Sequence, residues 1–185
     1  MGAARRISRA AVLSCCAAAG LAGCASSAPG SLSTVLPDRT VSAPTATAAA
    51  GDPQVLARQA YLGMWQAFFT ASRTADYQSP SLAHYAAGSA LELLIHGLYQ
   101  NYREGIVTRG VPSHNLAVTM TKTSIGTPEA KVTDCSDDSG AVAYSKSGKP
   151  VQGEAPGRQA ISARVQPFDG TWKVTYLVVE KTGSC

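Results

Sequence analysis

Imidazole is the side chain that most readily exchanges protons near neutral pH, so the histidines are weighed first. The chain carries three, His84, His96 and His114, scattered across 31 positions. Only His96 has a carboxylate within helical reach, Glu92 one turn earlier, and that pair fits a solvated helix face better than a ligand site. The densest acidic group is Asp134, Asp137 and Asp138. Its spacing is not that of an EF-hand loop, so it is predicted to be a solvated turn. There is no Gly-x-Ser-x-Gly elbow, no His-Glu-x-x-His helix and no glycine-rich phosphate loop. No catalytic constellation emerges, and neither a metal nor a cofactor is expected.

The cysteines say more. Arg5, Arg6 and Arg9 precede the apolar run Ala10 to Gly20, and small residues follow it, the order of a secretory signal peptide. The tetrapeptide Leu21-Ala22-Gly23-Cys24 then resembles the lipobox of bacterial lipoproteins. That resemblance implies cleavage before Cys24 and attachment of a diacylglycerol to its sulfur, which makes the protein anchored to a membrane on its extracytoplasmic side. Cys15 and Cys16 fall in the discarded segment. Cys135 and Cys185 remain, an even pair in an oxidising compartment, and are predicted to form a disulfide.

Charge supports no nucleic-acid role. Of 16 lysines and arginines, the signal segment removes three, leaving 13 against 12 acidic residues. Such a balance supplies no basic face for phosphates. No second apolar run approaches the roughly 20 residues that span a bilayer.

Three segments follow: a signal peptide at 1–23, a lipidated tether at 24–51 and a folded domain at 52–185. From Ala25 to Gly51 the residues are nearly all Ala, Ser, Thr, Pro and Gly, too few of them large and apolar to offset the entropy of ordering. A coil of that length reaches about 30 Å.

The domain must open at Asp52-Pro53, an N-cap followed by proline in the first helical position. Tyr61, Leu62, Trp65, Phe68 and Phe69 recur at helical spacing, and the helix should end between Ser72 and Ala75. Ser79-Pro80 starts a short helix that Gly88 closes. A third helix carries Leu91, Leu94, Ile95, Leu98 and Tyr102 as one inward stripe and stops at Gly105. Beyond Gly110 the period falls to two. Leu116, Val118 and Met120 mark one strand, Ala130 and Val132 a second running to Cys135, and Val142 and Tyr144 a third. Asp169-Gly170 is a two-residue hairpin signal. Counting outward from it pairs Pro167 with Trp172, Val165 with Val174, Ala163 with Tyr176 and Ile161 with Val178.

These elements predict an α+β domain, three N-terminal helices packed on a curved antiparallel sheet. Their order, with the Asp169-Gly170-Thr171-Trp172-Lys173-Val174 hairpin, resembles the nuclear transport factor 2-like superfamily of ketosteroid isomerases and SnoaL-like cyclases. The Asp134-Cys135-Ser136-Asp137 stretch and terminal Cys185 are further similar to lipoproteins of high-GC Gram-positive bacteria with this fold. The resemblance implies a cone whose open end forms an apolar pocket. Trp65, Phe69, Tyr85 and Tyr99 are candidates to line it, together with Tyr102, Trp172 and Tyr176. An isomerase of this kind needs a general base and a neutral donor. Asp76, Tyr77, Tyr85, Tyr99 and Tyr102 supply the types but match no signature. The expected function is therefore non-enzymatic: binding an envelope protein or a small apolar ligand, with an isomerase-like enzyme or a homodimerising module as alternatives.

Overall fold

A computed structural model describes residues 51–151 and 155–185, which lie within one compact unit. The proposed signal peptide, the Cys24 lipobox and nearly all of the tether fall outside the described residues. Among the described residues no helix is long and apolar enough to cross a membrane.

Helix α1 runs Pro53–Ser72, and Asp52 caps it by accepting the Gln54 N–H at 2.9 Å. Its buried face runs through Ala57, Ala60, Tyr61, Met64 and Trp65 to Ala71. Helix α2 covers Ser81–Tyr85, and α3 covers Gly88–Glu104. Gly88 opens α3 instead of closing α2. Gly105 ends α3 in the left-handed region, at φ 69°.

Gly63 is where α1 and α2 meet. A Cβ there would stand 2.5 Å from the Tyr85 ring. Gly63→Ala should therefore cost about 1–2 kcal/mol, overriding the helix propensity that alanine adds, because the ring must be displaced. Urea unfolding measures this directly.

The stripe on α3 is narrower than expected. Ala90, Leu94 and Leu98 are buried, whereas Ile95 and Tyr102 are 36 % and 52 % exposed. The line i, i+4, i+8 starts at a small residue, which lets the helix lie close to the sheet. Tyr102 instead packs edge-on against Tyr77, at 5.3 Å between ring centroids. His96 pairs with Gln100 at 3.3 Å, not with Glu92.

The remaining strands are β1 (Ile106–Arg109), β2 (Ser113–Lys122), β3 (Pro128–Asp137), β4 (Val142–Ser145), β5 (Arg158–Phe168) and β6 (Thr171–Val179). Four of them form an antiparallel sheet in the order β2-β3-β5-β6, and α1 lies against all four. The two short strands β1 and β4 pair separately. Val132, Val165 and Val174 carry the sheet's share of the core and meet Tyr61, Met64, Leu94 and Leu98 from the helices. The architecture is thus mixed, helices first and antiparallel sheet after.

The β5–β6 hairpin turns at Asp169-Gly170 with Pro167 opposite Trp172 and Val165 opposite Val174. Beyond Val174 the counted register fails. An extra residue, Thr175, sits on β6, so Arg164 faces Tyr176, Ala163 faces Leu177 and Ile161 faces Val179. The main chain there serves a second partner: the Ala87 N–H donates to the Val174 carbonyl at 2.9 Å, and the Ser89 hydroxyl to that of Thr175 at 3.2 Å. The bulge turns Tyr176 outward and buries Leu177 in its place.

Cys135 and Cys185 form the expected disulfide, with Cα atoms 6.0 Å apart. It ties β3 to the segment beyond β6.

Candidate functional site

Period two along β2 and β3 decides which side chains face α1. Inward positions on β2 are His114, Leu116 and Val118, and on β3 they are Ala130, Val132, Asp134 and Ser136. Leu116 pairs with Asp134 and His114 with Ser136, so His114 and Asp134 are diagonal neighbours on one face. The His114 Nδ1 lies 2.6 Å from Asp134 Oδ2. Tyr61 reaches the same oxygen from α1, its hydroxyl donating at 2.9 Å.

Asp134 is therefore not part of a solvated turn. Its side chain is fully buried, and β3 continues past it to Asp137. Asp137 is the last residue of β3, and only Asp138 lies in the turn that was expected. Asp137 accepts from the Ser139 hydroxyl and N–H, which hold its carboxyl below the usual range, while Asp138 accepts from the Gly157 N–H.

The second oxygen, Asp134 Oδ1, is buried and has no hydrogen-bond partner among the described residues. Buried polar atoms in native folds are nearly always paired, so this orphan marks an unusual site. Burial raises the Tyr61 hydroxyl far above its ordinary pKa, and the Asp134 charge adds to it. Tyr61 is a fixed neutral donor.

One turn along α1, Trp65 stands edge-on to Tyr61 at 6.3 Å and stacks on the His114 ring at 5.9 Å and 26°. Beside this pair opens a cavity of about 340 Å³, lined by Leu62, Trp65, Phe69, Arg73, Val111 and His114 among others. The Val111-Pro112 rim depends on Gly110, at φ +84°, where a Cβ would overlap the Gly140 carbonyl oxygen.

This arrangement has a defined chemistry. With Nδ1 turned to a carboxylate, a neutral imidazole carries its proton there and presents the Nε2 lone pair on the other edge. Nε2 can accept a hydrogen bond from a ligand, or a proton from a substrate. Arg73 at the mouth is exposed, and among the described residues no carboxylate lies within 4.0 Å of its guanidinium.

The seven predicted pocket residues do not gather in one place. Trp65 and Phe69 line the His114 cavity. Tyr85 and Trp172 line a second cavity, of about 550 Å³, near the start of α1 with His84. Tyr99 joins Tyr77 and Tyr102 in a cluster on the outer surface. Tyr176 lies outside beneath the Arg164 guanidinium, 4.7 Å from its ring centroid. Asp76 caps the bend after α1 by accepting the Gln78 N–H at 3.1 Å. His114, Asp134 and the Tyr61 hydroxyl were not anticipated as a group.

No protein-family model matches the chain, and no curated protein does. Solved structures with a similar arrangement include the intermembrane space region of the chloroplast protein ARC6, 16 % identical, covering 68 % of this chain and 97 % of that one at a TM-score of 0.48. Another is Aln2 from a Streptomyces species, 14 % identical, covering 69 % and 88 % at 0.40. A third is an NTF-2-like protein of unknown function from Shewanella oneidensis, 10 % identical, covering 67 % and 98 % at 0.40. Each is a likeness of arrangement alone.

Proposed function

We propose that this protein is an extracytoplasmic lipoprotein, anchored through Cys24, whose nuclear transport factor 2-like domain binds a small ligand in the His114 cavity. The signal segment, the lipobox and the low-complexity tether support the anchor. The observation that carries the binding role is the Asp134–His114–Tyr61 group, a buried polar network whose His114 lines a largely apolar cavity, with Asp134 and Tyr61 behind it. Desolvating such groups is costly, and a well-packed apolar wall would be at least as stable. A ligand that uses the free imidazole edge gives the network a purpose. The cavity volume falls at the lower end of the range for small-molecule sites.

Cys24→Ala should move the protein from the membrane fraction to the soluble fraction of fractionated cells; retention in the membrane would remove the anchor. Native mass spectrometry of wild-type protein from its own envelope should show a retained small molecule, lost in Phe69→Arg. An adduct that persists in that variant would place the ligand elsewhere.

A second reading has one specific observation in its favour. The His114–Asp134 dyad has the geometry of a general base oriented by a carboxylate, 2.6 Å apart, with a neutral tyrosine beside it. If the domain is an enzyme, Asp134→Asn lowers turnover by about 10²-fold or more while ligand affinity changes little, since general acid–base groups contribute factors of that order. Equal losses in both would return the dyad to a binding role.

A further inference from the structure

Resting on the binding role proposed for the cavity, we infer that its ligand is a small planar organic anion that also carries a hydroxyl or N–H donor. The walls, the mouth and the floor make different demands. Trp65 and Phe69 both line this space, packed against one another with centroids 6.0 Å apart, and Leu62 adds an apolar side chain. A flat ring lies against such an aromatic wall with the least loss of contact. At the floor, His114 keeps Nδ1 on Asp134, so the remaining edge accepts a hydrogen bond. The ligand's inner end is thus a donor.

At the mouth stands Arg73, eight positions after Trp65 on the same helix and therefore about 12 Å further along it. Its position just past α1 lets it complement that helix's dipole. That role needs no cavity, yet Arg73 lines this one and has no carboxylate partner among the described residues. A planar guanidinium fork with no protein anion to satisfy it recognises a carboxylate in two parallel hydrogen bonds. Thr70, one turn before Arg73 on the same face, adds a polar group near that end. Cation at the mouth, ring walls between and an acceptor at the floor together describe a hydroxylated aromatic acid.

The test uses the full-length chain in detergent with four probes: 4-hydroxybenzoate, benzoate, 4-hydroxybenzamide and a neutral apolar dye. Affinities are read by calorimetry. The inference expects 4-hydroxybenzoate to bind at least 10-fold more tightly than its amide, and Arg73→Gln to abolish that difference. It also expects the hydroxyl preference over benzoate to disappear in His114→Phe. If acid and amide bind equally, or if Arg73→Gln leaves their difference intact, the anionic class is overturned. If the dye binds in a manner sensitive to Phe69→Arg while no acid does, the inference fails and the cavity's binding role stands. If no probe binds, both fail.

Discussion

Replacing His114 with Phe lowers the stability of the domain by about 3 kcal/mol, the cost of taking a hydrogen-bond donor away from a buried carboxylate. Phe keeps a ring against Trp65 but deletes the Nδ1 contact, leaving the Asp134 carboxylate buried with Tyr61 as its one donor among the described residues. Asp134→Asn in the same background should recover part of that loss. The amide is neutral, occupies nearly the same space and still accepts from Tyr61. Urea denaturation of the two single variants and the double variant gives the coupling directly. A His114→Phe variant within about 0.5 kcal/mol of wild type would mean that the imidazole does not hold the carboxylate, since a surface substitution does no more.

Removing the disulfide has the larger effect on the fold as a whole. Cys135 and Cys185 are separated by 50 positions, and opening a loop of that size frees the unfolded chain enough to cost about 4 kcal/mol. Cys135→Ser/Cys185→Ser should lower the unfolding free energy from urea denaturation by that amount, and reduction of the wild type should match it. The consequence extends to the site. Cys135 follows Asp134 on β3, so loosening the covalent tie frees the end of the strand that aims the carboxylate at His114. Equal midpoints for oxidised and reduced protein would show that the bridge adds nothing.

Local signals in the sequence located most of the elements. The Asp52-Pro53 cap, the Gly105 stop, the strand containing Leu116 and Val118 and the Asp169-Gly170 turn each depend on a few adjacent residues, and the fold honours them. What failed depended on partners distant in sequence. The hairpin register broke at Thr175 because the α2–α3 connection takes up the main chain of Val174. The α3 stripe rotated because Ala90, not Ile95, meets the sheet. Strand β1 escaped notice because it has four residues and pairs only with β4, well downstream.

The site itself was half legible. Extending the alternation of Leu116 and Val118 back by two gives His114, and extending that of Ala130 and Val132 forward by two gives Asp134. Both positions therefore fall on the inward side by the same period that located the strands. Asp134 resembles a turn residue because Ser136, Asp137 and Asp138 follow it closely. A polar residue at an inward position is worth pursuing for its partner before it is assigned to a loop. The contact that joins the two residues needed the β2–β3 register, which two strands separated by a loop do not reveal by themselves.

The central claim is that a small ligand sits against His114. The three histidines make this measurable in one experiment, because His114 lines one cavity, His84 lines the other and His96 lies on an exposed helix face. With ring-labelled histidine in the full-length chain, small molecules extracted from the envelope are titrated in and the three imidazole signals are followed by NMR. Movement of the His114 resonances, with His84 and His96 unchanged, is the predicted result. A shift confined to His84, or no shift at His114 while a ligand is demonstrably bound, would contradict it.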